Sequence, residues 1–273
     1  MATRSALIHV MAGAALKAAR GLIRDFGEVE QLQVSVKGPG DFVSAADIKA
    51  EKVLRTELQR GRPGYGFLME ESGASAGSDP RHRWIVDPLD GTTNFLHGLP
   101  FFAISIALER DGEIVAGVIY EPIRDEMFWA EKGAGAYVND RRLRVSARRR
   151  LGESVIGTGI PFRERGDHAA YLATLASVMA APSGVRRMGA ASLDLAYVAA
   201  GRLDGFWEFG LKPWDIAAGL IMVREAGGYA TDLNGAHGIT ESGDVLAAND
   251  QLHVQLSQLL ADALHRPLTG TRL

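Results

Sequence analysis

The chain contains no cysteine. That absence excludes disulfides, thiolate nucleophiles, iron–sulfur clusters and thiolate zinc sites. Long apolar runs are missing as well. Between Met1 and Arg24 the apolar residues are interrupted by His9, Lys17, Arg20 and Arg24, unlike a signal peptide. No stretch is expected to reach the roughly 18 apolar residues of a membrane span. Charge is balanced: the formal net charge is -3, which gives no reason to expect a polyanionic partner. The seven histidines (His9, His82, His97, His168, His237, His253, His265) show no ligand spacing, so zinc is not expected. Together these absences suggest a cytoplasmic protein without membrane or nucleic-acid partners.

What remains has an ordinary globular composition, 47% hydrophobic and 23% charged over 273 residues. The length suits one large domain, or two that share a core. Periodicity predicts an amphipathic helix from Ala6 to about Phe26, with Leu7, Met11 and Leu22 on one face. Gly38-Pro39-Gly40 reads as a loop. A second helix runs from Ala45 to about Arg60 and carries Ile48, Val53, Leu54 and Leu58. Strands are expected at Gly66–Met69, Trp84–Val86, Phe102–Leu108 and Ile114–Tyr120, the last two joined by a hairpin at Asp111-Gly112. Glu126–Ala130 and Ala136–Val138 continue the sheet. Arg148-Arg149-Arg150 reads as a solvated connector. Beyond it, strands at Val155–Thr158 and Phe206–Phe209 alternate with helices at His168–Met179, Ser192–Ala200, Ile216–Glu225 and Gln251–Leu264. Such a mixture implies sheets layered with helices.

The sharpest chemical signal is Asp87-Pro88-Leu89-Asp90-Gly91-Thr92-Thr93, placed directly after the apolar run Trp84-Ile85-Val86. A strand ending in two carboxylates projects them from a rigid edge, where α/β proteins place ligand sites. Pro88 has no amide to donate. The Leu89 carbonyl remains free to ligate a cation, and Gly91 lets backbone approach a ligand. A helix opening at Thr92 would aim amides at an anion. An Asp-Gly turn with an Asp N-cap explains part of this pattern, but not two acids with two threonines. Glu70-Glu71 after Phe67-Leu68-Met69 repeats the theme. Its bland alternative is surface charge. Trp214-Asp215 ahead of Ile216–Val223 has the N-cap as its alternative, and Asp47 has an early-helix acid. Taken together, the acids suggest a hard cation held by oxygen.

These segments resemble the inositol monophosphatase family. The resemblance rests on Glu70-Glu71-Ser72, Trp84 to Phe95, and Trp214 to Gly219 through Arg224-Glu225-Ala226-Gly227-Gly228. Val43 to Glu51 and Gly189 to Asp194 through Asp204 to Glu208 add to it, and the likeness runs from about Ala6 to Leu264. It is greatest to bacterial members. The resemblance implies an α+β, layered αβαβα sandwich of the sugar-phosphatase-like kind, commonly a homodimer. Residues 1–146 would form an N-terminal subdomain with most metal ligands. Residues 147–273 would form a C-terminal subdomain supplying Asp215 and substrate contacts within one integrated domain. Two to three magnesium ions are implied. The first falls to Glu70, Asp87 and the Leu89 carbonyl, the second to Asp87, Asp90 and Asp215, and a third lies near Glu70 through waters. Catalytic positions map to Glu70, Thr92 and Asp47. Phosphate contacts map to Gly91 and Thr92. Substrate-hydroxyl contacts map to Asp90, Gly189, Ala190, Ala191, Glu208 and Asp215, with Arg186 added where bacterial members place an arginine. Met69 and Ser44 depart from many relatives, which carry a small residue and a threonine there.

The activity implied is hydrolysis of inositol monophosphate by water, with lithium sensitivity. A related phosphatase of histidinol phosphate, a sugar bisphosphate or a nucleotide 3′-phosphate shares the same metal pattern. A binding protein that kept the fold without turnover is a further alternative.

Overall fold

The structure is a computed structural model describing residues 4–28, 34–38, 41–162, 166–236 and 238–265; for 34–38 and 41–44 it describes the backbone alone. Pro39, Gly40, His237 and the side chain of Ser44 lie outside the described residues. Helices α1 (Ala6–Phe26) and α2 (Ala45–Gly61) flank a ribbon of β1 (Val34–Gly38) and β2 (Asp41–Ser44). A large sheet follows, made of β3 (Tyr65–Met69), β4 (Gly73–Ser75), β5 (Asp79–Asp90), β6 (Ala103–Arg110), β7 (Glu113–Glu121), β8 (Glu126–Glu131), β9 (Gly135–Val138) and β10 (Arg141–Arg142). Its eight strands run in the order β10-β9-β8-β7-β6-β5-β3-β4. The short helix α3 (Thr92–Leu96) separates β5 from β6. The smaller sheet has the order β12-β11-β13-β15-β14. It is built from β11 (Val155–Thr158), β12 (Gly184–Arg186), β13 (Gly205–Glu208), β14 (Tyr229–Thr231) and β15 (Val245–Ala248). Helices α4 (His168–Met179), α5 (Ala191–Ala199), α6 (Pro213–Glu225), α7 (Ile239–Ser242) and α8 (Asp250–His265) complete the fold.

Burial arranges these elements as α, β, α, β, α layers. Helices α1 and α2 cover one face of the large sheet through Ile8, Met11, Leu22, Leu54 and Leu58. Helices α5 and α6 fill the space between the sheets, and α4 and α8 cover the far face of the small one. Strand β6 shows how the layers are sorted. Ile104, Ile106 and Leu108 face the α1/α2 core, while Ala103 and Ala107 face α6. Period-two alternation therefore assigns large side chains to one core and small ones to the other. Because both faces are buried, the strand reads as an unbroken apolar run. The β6–β7 turn has Asp111 at φ 53 and Gly112 at φ 81. Two positive φ values match the type I′ twist that a tight hairpin needs.

Two expectations need correction. Helix α1 is, by length and composition, apolar enough to cross a membrane. Its buried residues, however, pack into the α1/α2 core, and Lys17 on its other side pairs with Glu57 of α2 at 2.5 Å. The sequence reading weighed interruptions by charge and overlooked how much alanine lies between them. Ile48, assigned to the apolar face of α2, is exposed.

Candidate active site

The C-terminal end of β5 carries the densest chemistry. Its pairing with β6 slips between Asp87 and Asp90, a bulge that re-aims the side chains around Pro88. Asp87 Oδ1 accepts the Leu89 N–H at 2.9 Å, closing a local turn. Gly91 follows at φ 91, and a Cβ there would lie 3.0 Å from the Phe101 carbonyl oxygen. Only glycine suits both demands. Thr92 then opens α3, and its hydroxyl sits 3.1 Å from Asp47 Oδ1 and 3.0 Å from the Leu89 carbonyl oxygen. The helix is only five residues long. The anion site expected from its dipole is thereby reduced to individual amides.

Three further segments bring acids to the same place. Glu70 directly follows β3, its N–H donating to the Val86 carbonyl at 3.2 Å. Next to it, Glu71 N–H donates to Glu51 Oε2 of α2 at 2.9 Å. Asp215 enters from α6. It stands at the third helical position, not at the N-cap, and its Oδ2 accepts the Lys212 N–H at 2.8 Å. The start of α6 is anchored by Ser105, whose hydroxyl donates to the Trp214 carbonyl at 3.1 Å. Ser105 is the cross-strand partner of Asp87, so one residue registers both acidic segments.

Gly189, Ala190 and Ala191 form the loop into α5. Asn94 clamps this loop, its Nδ2 donating to the carbonyls of Phe101 at 2.7 Å and Met188 at 2.9 Å. Ser192 donates its N–H to Asp90 Oδ2 at 2.8 Å, and its hydroxyl donates to the same oxygen. Glu208 ends β13 on the opposite wall and lies against Gly159; a Cβ at Gly159 would overlap its carboxylate. Arg186 is exposed, its guanidinium donating to the neighbouring Val185 carbonyl. Arg187 is the cation that acts on Glu208 and Asp194. Asn94, Ser105, Ser192 and Arg187 were not picked out in sequence: the first three act through contacts across 94 to 109 residues, and Arg187 stands one position past the arginine that the motif match named, just beyond the end of β12.

The electrostatics follow from crowding. Burial first, then the charges of Glu70, Asp90 and Asp215, pushes the Asp87 carboxyl well above its ordinary range. Burial and Asp90 do the same to Asp215. Asp90 is raised by burial to about 6, although Ser192, Ala191 and Gly91 donate hydrogen bonds that pull it down. Glu208 is pushed up to about 8 by burial and by Asp90, with Arg187 opposing. Among the described residues, no three acidic or histidine side chains already close on a point as a ligand cage. Neighbouring carboxylates instead raise Asp87 and Asp215 beside a cleft of about 560 Å³ whose walls include Glu70, Glu208, Lys212, Trp214 and Asp215. Mutual repulsion of this kind is relieved by protons or by a cation. An all-oxygen donor set of carboxylates plus the Leu89 carbonyl fits a hard divalent ion such as magnesium.

Comparison with known proteins agrees with this chemistry. The model of the inositol monophosphatase family matches residues 4–266. The inositol-1-monophosphatase of Mesorhizobium japonicum is 60% identical over 267 residues, covering 98% of this chain and 99% of its own length. A crystal structure of the extragenic suppressor protein suhB from Bartonella henselae superposes with a TM-score of 0.92 at 60% identity, covering 94% of this chain and 98% of that one. The inositol monophosphatase from Anabaena gives 0.85 at 37% identity, covering 96% and 97%. A carboxylate cleft between two layered sheets, and a match that runs almost end to end, place the chain in the inositol monophosphatase family of phosphatases.

Proposed function

We propose that the chain hydrolyses inositol monophosphate to inositol and phosphate with magnesium as cofactor. The observation that carries this reading is the closeness of Glu70, Asp90 and Asp215 to Asp87, beside a cleft whose walls carry Glu70, Asp215 and Glu208. Glu70, Asp87 and the Leu89 carbonyl would hold a first ion, and Asp87, Asp90 and Asp215 a second; a third would sit near Glu70 through waters. When bound, the ions would lower the pKa of a water and neutralise charge on the phosphate. The chain's own residues do the positioning. Thr92 donates its hydroxyl hydrogen toward Asp47, which turns an oxygen lone pair outward to accept from the attacking water. Glu70 accepts that water's second hydrogen. The N–H of Gly91 is shared with Asp90, so Thr92 N–H bears more of the phosphate contact.

Substrate hydroxyls fall to Asp90, Asp215 and Glu208, and to the loop Gly189-Ala190-Ala191. Arg186 keeps the substrate contact that the resemblance gives it, and Arg187 adds a second cation whose charge reaches Glu208. Residues 1–146 supply the first ion's ligands and 147–273 supply Asp215 and the opposite wall. A cytoplasmic homodimer is the assembly that the family resemblance supports. Lithium is expected to inhibit by competing near Asp90 and Asp215. Unchanged rates at roughly tens of millimolar lithium, a range set by weak ion exchange, would count against the second position.

The deciding experiment is a phosphate-release panel with and without magnesium. Inositol monophosphate, histidinol phosphate, a sugar bisphosphate and a nucleotide 3′-phosphate are compared. Greatest kcat/KM on inositol monophosphate, abolished by chelator, supports the proposal. Preference for another substrate makes the chain a sister phosphatase. Its likeness to a structure of an extragenic suppressor protein favours a second reading, a binding role apart from turnover. No magnesium-dependent turnover on any substrate would favour that reading alone.

A further inference from the structure

Strand β11 reads Val155-Ile156-Gly157-Thr158 and is followed by Gly159. Glycine weakens a strand and marks a place where another group comes close to the backbone. These two glycines stand two residues apart, so both open the same face of the small sheet. The neighbouring strand β13 bears this out. Gly157 is the register partner of Phe206, and a Cβ on Gly157 would lie 3.3 Å from Phe206 Cδ2. Two residues further along both strands, a Cβ on Gly159 would overlap the Glu208 carboxylate. Phe206 belongs to the core shared with α5 and α6, so Glu208 leaves β13 on that side as well.

Asp194 of α5 occupies the room over Gly157, its Oδ1 lying 3.5 Å from where that Cβ would be. Gly159 and Glu208 line the cleft, and Asp194 stands over the glycine behind them. Asp194 is 1% exposed, and its Oδ1 has no hydrogen-bond partner among the described residues. A buried carboxyl oxygen left without a partner is costly, so packing alone does not account for an acid here. Its place in the first turn of α5 would favour an anion. Burial opposes that: burial first, then the charges of Glu208 and Asp90, hold the Asp194 carboxyl well above its ordinary range, with Arg187 acting the other way. A carboxyl that keeps its proton has an O–H to donate, which a carboxylate lacks. Where two acids share one region, one keeps its proton and the other accepts. Asp194 is buried, whereas Glu208 is half-buried and reaches the cleft, so the proton belongs on Asp194.

We propose that Asp194 is a positioning residue for Glu208: from behind, it donates a hydrogen bond toward the Glu208 carboxylate and so fixes which oxygen is left to accept from the substrate's hydroxyls. The inference rests on the reading that Glu208 contacts the alcohol, and it adds a residue that touches neither ion nor substrate. The start of α5 then serves both walls of the cleft. Ser192 holds Asp90 on one side, and Asp194 holds Glu208 on the other.

The test compares two variants of the magnesium-loaded protein. Asp194→Asn keeps an N–H to donate, and Asp194→Leu keeps the size without a donor. On inositol monophosphate, Asp194→Leu should raise KM about tenfold and change kcat by less than about threefold. On β-glycerophosphate, which has fewer hydroxyls, its kcat/KM should fall by less than about threefold. Asp194→Asn should stay within about threefold of the wild type on both substrates. Added to Glu208→Gln, Asp194→Leu should cost less than about a further twofold, because the two changes remove one shared interaction. Equal losses on both substrates, a loss in Asp194→Asn as large as in Asp194→Leu, or additive losses with Glu208→Gln would make Asp194 a packing residue and overturn the proposal. Infrared difference spectra give a readout that needs no turnover and no leucine variant. At neutral pH the wild type should show a protonated-carboxyl band that Asp194→Asn lacks, and two identical spectra would overturn the donor role. A wild type that ignores inositol monophosphate would defeat the substrate reading instead. The kinetic comparison then moves to the hydroxylated substrate it prefers, and the infrared band still decides for or against Asp194.

Discussion

The two walls of the cleft differ in how far their acids are compensated. On the large-sheet side, Glu70, Asp90 and Asp215 raise the pKa of Asp87, and Asp90 and Glu70 raise that of Asp215, which enters from α6. On the small-sheet side, Glu208 stands with Arg187 acting on it. The first wall is incomplete without added positive charge. The second carries part of its own compensation. Groups on the first wall should therefore govern whether any phosphate is cleaved, and groups on the second should govern which alcohol is accepted.

The largest effect should come from Asp87, which both cation positions share. Asp87→Asn should lower kcat by at least about a hundredfold on every substrate, the scale for losing an essential electrostatic element. The same change removes one of four repelling carboxylates. It should raise the melting temperature of the chelated protein by about 2–4 °C, corresponding to about 1 kcal/mol in a chain of this size. Kinetics and thermal melts in chelator are the measurements. A variant retaining more than about a tenth of the rate would contradict the shared role. An unchanged or lowered melting temperature would contradict the repulsion.

Glu208 should separate the two walls more finely. Glu208→Gln keeps the shape and removes the charge. A carboxylate accepts hydrogen bonds from ring hydroxyls, and each such charge-assisted bond is worth roughly 1.5–3 kcal/mol. The variant should lose about ten- to a hundredfold in kcat/KM on inositol monophosphate. β-Glycerophosphate, with fewer hydroxyls, should suffer much less. Equal losses on both substrates would move Glu208 to the first wall's function and remove the specificity argument.

Much of the first wall was legible in sequence, and much less of the second. Asp87 and Asp90 follow an apolar strand within one heptapeptide, so spacing alone displays them. Helix Ala6–Phe26 was read with its end at about Phe26, because it is long and periodic, and His168–Met179 was read with the same bounds. Strands β12, β14 and β15 were missed. They have three or four residues each, and Val245-Leu246-Ala247-Ala248 carries no alternation because all four are buried. The clamp by Asn94 and the anchor by Ser105 have no local signature, since their partners lie about a hundred residues away. Arg186 was named by motif position, and the charge that acts on Glu208 and Asp194 is that of its neighbour Arg187.

The smallest effect, and the one that tests both walls at once, is the pH dependence of stability without divalent ions. Glu208 is raised from 4.5 to about 8 and Asp90 from 3.8 to about 6. In the unfolded chain both would titrate near their ordinary values. Between those values and the raised ones, the folded protein binds more protons than the unfolded one. Stability must then fall as pH increases through that interval. In chelator, the melting temperature should decline from about pH 5 to about pH 8. Saturating magnesium should flatten the decline, because a cation replaces the protons as the relief of repulsion. Glu208→Gln should lessen the decline from about pH 5 to about pH 8, with the largest proportional effect above about pH 6, where Asp90 has already lost its proton. Asp87→Asn should reduce it throughout. A metal-free protein whose melting temperature is level or rising from pH 5 to 8 would show that the carboxylates are already balanced by groups within the fold. The contrast between the walls would then have to be abandoned.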